Sequence, residues 1–158
     1  MLNDKEIFFE EEEIYDYNDH QTNVVGIIKS NKIGISNKAE IIIGKILNKD
    51  GNGTLLQILE ALKYANKINP SIINISTGYE FESLSQEEIV LHNLIHLEIQ
   101  KLTQKNVIII CASGNNNRAM YFPAKFQETI SVSIFYNEFK DADFRCQIEH
   151  FVVPSKSN

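Results

Sequence analysis

Unbroken runs of apolar residues mark the strongest predicted strands of this chain. Val107–Cys111 places four β-branched residues in succession, which is typical of a strand buried on both faces of a parallel sheet. Ala39–Leu47 and Ile72–Ile75 contain similar runs of isoleucine, and shorter apolar runs predict strands at Thr129–Phe135 and Ile148–Val153. These segments predict a sheet with a well-buried centre.

Helical spacing of apolar residues appears between the predicted strands. Thr22–Ser30 predicts a short buried helix. Thr54 can cap a helix whose apolar face is Leu55, Ile58, Leu59, Leu62 and Ala65. Ser85 and Glu88 form a predicted capping box before a stripe made of Leu91, Leu94, Ile95, Glu98 and Leu102. The alternation of strand and helix predicts a three-layer α/β fold, with a mostly parallel sheet and helices on both faces.

The end of the central predicted strand is the most informative place for a site. Val107–Cys111 runs into Ala112, Ser113 and Gly114, and then into an asparagine loop that begins at Asn115. Ligands of open parallel sheets bind outside the carboxyl ends of the strands. Small residues there predict space for a ligand to approach the backbone.

Charge is concentrated at the start of the chain. The first twenty residues hold eight of the 21 acidic side chains and one of the 15 basic ones. We therefore separate an acidic N-terminal segment, residues 1–18, from a domain at residues 19–158. An acidic segment without basic patches elsewhere excludes nucleic acid as the expected partner. A solvated surface is the first interpretation of Glu10–Glu13, and a calcium site is the alternative; no other cofactor is expected.

The remaining composition is that of an ordinary globular domain. The chain has 158 residues, of which 43% are hydrophobic and 23% charged. No apolar run approaches the roughly 20 residues that span a bilayer, and the N-terminus lacks a signal-peptide layout, so we expect a cytoplasmic protein. Cys111 is expected to pack as a small hydrophobe, and no disulfide with Cys146 is expected.

Five segments together resemble the subtilisin-like serine peptidases, or subtilases. Asp19–Ile28 is similar to the family's histidine motif, His-Gly-Thr-His-Val-Ala-Gly, and Lys45–Thr54 to a strand with a substrate-pairing loop. Ile72–Gly78 resembles Ile-Asn-Met-Ser-Leu-Gly, and Ala112–Asn115 resembles Ala-Ala-Gly-Asn. Tyr121–Val132 resembles the block that follows. The order and separations of these segments imply a subtilisin-like fold.

The resemblance also implies roles for individual residues. His20 would occupy the position of the general base, and Asn115 would donate a hydrogen bond to the developing oxyanion. A bound peptide would be flanked by two loops that act as edge strands, formed by Gly51, Asn52 and Gly53 and by Ser76, Thr77 and Gly78. Ala112, Ser113 and Gly114 would line the pocket for the side chain before the scissile bond.

The sequence departs from the family pattern at the remaining catalytic residues. The serine motif Gly-Thr-Ser-Met-Ala is absent from these 158 residues, and Ser155 and Ser157 lack its context. No aspartate precedes His20 in an Asp-Thr-Gly or Asp-Ser-Gly motif, and Gln21 replaces the glycine after the histidine. Removal of the triad serine costs about 10⁶ in turnover. The family's C-terminal part is therefore predicted to be lacking, and the single chain is predicted to be inactive.

Three functions follow from this combination. The first is a non-catalytic subtilase domain, or pseudoprotease, that binds a peptide or protein segment or regulates a true protease. The second is an incomplete or split serine endopeptidase whose serine and aspartate come from a missing segment or a complementing chain. The third is a non-enzymatic module that self-assembles, for example as a homodimer, through uncovered sheet surface.

Two further groups of polar residues have simpler interpretations. His92 and His96 have a spacing that can bind zinc, but the general base of the zinc-peptidase motif is absent. We interpret them as a solvated helix face, and no metal site is predicted. Ser113 has no general base nearby in the sequence, so a pocket wall is expected rather than a nucleophile.

Overall fold

The computed structural model describes residues 20–114 and 120–133, which contain three helices and three strands. In chain order they are α1 (His20–Lys29), α2 (Leu55–Ile68), β1 (Ile72–Ile75), α3 (Gln86–Gln104), β2 (Ile108–Ala112) and β3 (Ile130–Val132). The chain divides into two compact units, residues 1–57 and residues 58–158. All three strands belong to the second unit.

The sheet of the second unit has the order β1-β2-β3, and both pairings are parallel. Ile75 of β1 lies opposite Cys111 of β2, and Ala112 of β2 lies opposite Val132 of β3. The carboxyl ends of the three strands therefore meet at one edge of the sheet. The run at residues 107–111 forms the central strand, and a parallel sheet with helices confirms the α/β fold class.

The two faces of this sheet differ in burial. Ile109 and Cys111 are each 1% exposed, and α3 packs against β2 through its buried side chains, which include Ile95, Ile99 and Leu102. Ile72, Ile108 and Val132 are 57%, 47% and 50% exposed. They lie on one common face by the period-two alternation and the register. The prediction of burial on both faces is therefore wrong, because this second face, here called the open sheet face, remains partly in water.

Both longer helices begin at the predicted capping residues. The Ser85 hydroxyl accepts a hydrogen bond from the Glu88 N–H, and the Glu88 carboxylate accepts one from the Ser85 N–H, so the capping box is complete. Thr54 and Gln57 exchange the equivalent bonds before α2. Each box satisfies backbone donors that the first helical turn leaves without an intrahelical partner.

The prediction for α1 is right in type and wrong in burial. Its helix spans His20–Lys29, close to the predicted Thr22–Ser30. Its apolar side chains are half-buried or exposed, and Ile27 is 58% exposed. A short apolar run therefore formed a helix without forming part of the described core.

Ala39–Leu47 was predicted as a strand and carries no helix or strand in the structure. Ile42 and Ile43 of this run are 50% and 60% exposed. A strand exists only when a neighbouring strand accepts and donates its backbone hydrogen bonds, and no described strand pairs with this run. The β propensity of its isoleucines was therefore not sufficient.

Several predictions fall outside the described residues: the acidic segment at residues 1–18, the strand at Ile148–Val153, and Cys146. Among the described helices, none is long and apolar enough to cross a membrane. Cys111 is a free, buried thiol, as the sequence predicts. Burial raises the pKa of this thiol to about 12, so it remains protonated at neutral pH.

Candidate active site

The ends of β1 and β2 place two of the predicted substrate-binding segments side by side. Ser76, Thr77 and Gly78 follow β1, and Ser113 and Gly114 follow β2. The parallel register of Ile75 with Cys111 makes these two segments neighbours across the sheet edge. Ser113 is 6% exposed, whereas the segment after β1 is half-buried. The second unit therefore contains a strand-end site of the kind that the sequence predicts.

A third segment, Tyr121–Phe122, is hydrogen-bonded to both strand ends. The Tyr121 N–H donates to the Ser113 carbonyl at 2.9 Å, and the Ser113 N–H donates to the Val132 carbonyl at 2.9 Å. Tyr79 and Phe122 form an antiparallel bridge, with N···O distances of 2.8 and 2.9 Å. The backbone of Tyr121–Phe122 is thus held against the strand-end site by three hydrogen bonds.

The side chain of Tyr121 occupies the space above the small residues. A Cβ atom added to Gly114 would lie 2.7 Å from Cγ and 2.8 Å from Cδ1 of the Tyr121 ring, and Gly114 has a φ of 104°. A Cβ added to Gly78 would lie 2.9 Å from the Tyr121 Cβ. The sequence predicted that these small residues leave room for a ligand. In the structure, an aromatic ring fills the room above Gly114.

The loop predicted as the other substrate-pairing segment belongs to the first unit. The Asn48 side-chain oxygen accepts hydrogen bonds from the N–H groups of Asp50 and Asn52, both at 3.0 Å. Gly51 has a φ of 78°, a conformation that glycine adopts without strain. A Cβ on Gly53 would lie 2.5 Å from the Ile46 carbonyl oxygen. Both glycines are therefore required by the compact turn itself.

The two residues predicted to carry catalysis have different outcomes. His20 is the half-buried first residue of α1, in the first unit. Asn115 lies outside the described residues, immediately after Gly114. The general-base and oxyanion roles that the resemblance implies for them remain predictions.

His92 lies in an aromatic cluster, and its prediction as part of a solvated helix face is wrong. The side chain is only 8% exposed. Its ring centroid lies 4.7 Å from those of Phe81 and Phe122 and 5.2 Å from that of Phe126. The Tyr79 hydroxyl is 3.1 Å from Nδ1. Burial, with a smaller contribution from the charge of His96, lowers the pKa of His92, so the imidazole is neutral over a wide pH range.

His96 belongs to a polar group at the margin of the same cluster. Its ring stacks on Phe126 with a centroid distance of 4.1 Å, and Nε2 is 3.0 Å from a carboxylate oxygen of Glu128. The Gln100 amide donates to Glu128 at 3.0 Å. Burial alone would raise the pKa of Glu128, but the hydrogen bonds from Gln100 and His96 outweigh it and lower that pKa.

A structural role explains both histidines. The described residues contain no cluster of three or more His, Cys, Asp or Glu side chains that could hold a metal ion. The sequence carried one signal that was missed: Phe122 and Phe126 have the same four-residue spacing as His92 and His96. Two such pairs on facing segments are suited to aromatic packing.

Curated relatives that the sequence matches are named as serine proteases. The chain is 28% identical to the "Intracellular serine protease" of Paenibacillus polymyxa over 74% of its own length and 36% of the relative. It is 28% identical to the "Major intracellular serine protease" of Bacillus subtilis over 77% and 39% of the respective lengths. For "Subtilisin BL" of Lederbergia lenta the identity is 27%, over 74% and 42%. The chain therefore spans about two fifths of the length of these relatives.

Two solved structures share the fold. "Sphericase" superposes with a TM-score of 0.57 and 22% identity, covering 72% of this chain and 38% of that one. "S41 Psychrophilic Protease" gives a TM-score of 0.56 and 26% identity over the same shares. The Subtilase family as a whole matches residues 3–151. Because this match extends over nearly all of the 158 residues, the chain belongs to the subtilase family.

Proposed function

We propose that this chain binds an extended peptide or protein segment at the strand ends of β1 and β2 and does not cleave it by itself. The observation that carries the proposal is the adjacency of Ser76–Gly78 to Ser113–Gly114 in a member of the subtilase family. Extended peptides add to exposed strand edges through main-chain hydrogen bonds. The names of two relatives as intracellular proteases support a cytoplasmic location.

The absence of cleavage rests on the residues present in the chain. No Gly-Thr-Ser-Met-Ala motif occurs in the sequence, and the residues around His20 depart from the family's histidine motif. A histidine without a nucleophile to deprotonate provides no acyl-transfer catalysis. We therefore expect no labelling of the purified chain by a fluorophosphonate serine probe. Strong labelling, or casein hydrolysis that His20→Ala abolishes, would refute this part of the proposal.

Peptide binding is tested by titrating the ¹⁵N-labelled chain with capped tetrapeptides and following the backbone amides by NMR. The expected result is saturable shifts at residues 76–78 and 113–114. Gly78→Ala should weaken binding, since its Cβ would lie 2.8 Å from the Phe122 carbonyl oxygen and 2.9 Å from the Tyr121 Cβ. Gly26→Ala is the matched control, because no atom lies within 4 Å of its added Cβ. If millimolar peptide produced no shifts, the binding proposal would fail.

The open sheet face supports a second candidate, association with a complementing chain or a second copy. Ile72, Ile108 and Val132 expose about half of their side-chain area on one face, and exposed apolar patches commonly mark interaction sites. Sedimentation velocity of the purified chain tests the homodimer, and Ile108→Lys should shift any dimer towards monomer. A complementing chain that supplies the serine would make fluorophosphonate labelling appear only in the mixture.

A further inference from the structure

We propose that Tyr121 is a specificity-determining residue: its ring fills the pocket between the two strand-end loops and restricts bound peptides to a small side chain at that position. This inference rests on the proposed peptide binding. It extends that function because it assigns the size of the recognised side chain to one residue outside both loops. The chemical class of ligand is an extended peptide with alanine or glycine at the position that faces Gly114.

The position of the ring carries the argument. Gly114 and Gly78 come from different strand ends, and the Tyr121 side chain lies against both of them. The built Cβ of Gly114 would approach three ring atoms, Cγ, Cδ1 and Cδ2, within 2.7–3.1 Å. The built Cβ of Gly78 would approach Cβ and Cδ2 of the same side chain at 2.9 and 3.4 Å. The ring therefore occupies the gap that a peptide side chain would need to enter between these loops.

The backbone fixes the ring in this place. The Tyr121 N–H donates to the Ser113 carbonyl, and Phe122 makes two backbone hydrogen bonds with Tyr79. Phe122 also packs against Phe126 and His92, with centroid distances of 4.8 and 4.7 Å. Displacement of Tyr121 would break these contacts, so a large peptide side chain cannot enter at low cost. Glycine at positions 78 and 114 is required by the ring, since any Cβ there would collide with it.

The occlusion is tested first without a peptide. Replacing a buried aromatic ring with alanine leaves an apolar cavity, and such cavities bind small aromatic molecules. In Tyr121→Ala, p-cresol should bind saturably and shift the amide signals of Gly78 and Gly114, whereas wild type and Tyr121→Phe should show no such binding. Equal p-cresol binding by wild type, or none by a folded Tyr121→Ala, would overturn the occlusion. Tyr121→Val serves in its place if circular dichroism shows that the alanine variant is unfolded.

The selectivity is tested with the capped tetrapeptides acetyl-Gly-Ala-Ala-Ala-amide and acetyl-Gly-Ala-Ala-Phe-amide. Wild type and Tyr121→Phe should bind the alanine peptide at least about tenfold more tightly, and Tyr121→Ala should bind the phenylalanine peptide about 10- to 100-fold more tightly than wild type does. Equal affinities of wild type for both peptides would overturn the role of Tyr121 and leave the proposed function intact. If neither peptide bound to any of the proteins, the proposed function and the selectivity would both be refuted, and p-cresol binding to Tyr121→Ala would support the filled pocket alone.

Discussion

The two faces of the sheet differ in exposure although both are built largely from isoleucine. Ile109 and Ile108 are neighbours in β2, yet the first is 1% exposed and the second 47%. The side chain of Ile109 lies on the face that packs against α3, here called the covered face, and that of Ile108 lies on the open sheet face. The comparison shows that burial follows from the element packed over a face, and not from the residue type.

The largest expected effect comes from truncating the same residue type on each face. Ile109→Ala should reduce the free energy of unfolding by about 2–5 kcal/mol, because it removes transfer free energy and leaves a cavity in the core. Ile108→Ala is the matched control and should cost less than about 1 kcal/mol, because half of its side chain already contacts water. Urea denaturation of both variants measures the difference. Similar losses would show that another surface covers the open sheet face in solution.

Much of the covered face could be predicted from the sequence. The β-branched run at residues 107–111 predicted the central strand, and Ser85 with Glu88 predicted where α3 begins. These signals are local, because a strand run or a capping box involves residues that are close in sequence. Burial on the other face depends on distant elements, so the same runs could not distinguish Ile108 from Ile109. The strand predicted at Ala39–Leu47 failed for the same reason, since strands require partners.

The site was predicted in part. The ends of β1 and β2 lie side by side as the parallel pattern requires, which places Ser76–Gly78 next to Ser113–Gly114. The ring of Tyr121 above Gly114 could not be predicted, because residues seven apart in a loop have no fixed spatial relation. His92 was misassigned because its burial depends on Phe81, Phe122 and Phe126, which come from two other segments of the chain. The sequence thus indicated where the site lies and not what fills it.

The next effect sharpens the comparison by adding charge to the covered side. His92 lies on the buried stripe of α3 with Ile95 and Ile99, and its lowered pKa means that the folded protein binds a proton there less readily than the unfolded chain does. The unfolded histidine titrates near its ordinary pKa of about 6.5. The stability that the neutral imidazole provides is complete above that pH and is lost as the pH falls towards the lower folded pKa, with a slope of at most about 1.4 kcal/mol per pH unit.

Urea denaturation between pH 7.5 and pH 5 measures this effect. His92→Phe should remove this part of the pH dependence, because phenylalanine keeps a ring in the cluster and does not titrate. Tyr79→Phe is the control, since it removes the hydroxyl near Nδ1 and retains the titrating imidazole, so its pH dependence should persist. The lowered pKa of Glu128 contributes only at lower pH, below the ordinary carboxylate range. Parallel pH profiles of wild type and His92→Phe would contradict a buried neutral His92.

The smallest expected effect concerns the start of α3, the helix that distinguishes the two faces. Ser85→Ala removes the hydroxyl that accepts from the Glu88 N–H, and loss of such a cap costs about 0.5–2 kcal/mol. Ser83→Ala is the matched control, because the Ser83 hydroxyl is exposed and bonds only locally to the Glu80 carbonyl, at 3.0 Å; its expected change lies within about 0.5 kcal/mol. Hydrogen exchange adds the spatial information. If α3 alone excludes water from the covered face, Ser85→Ala should speed exchange in the first turns of α3 and leave β1 and β2 protected, because their ladder is intact. Faster exchange across β2 as well would mean that the first turn of α3 contributes directly to the burial of Ile109.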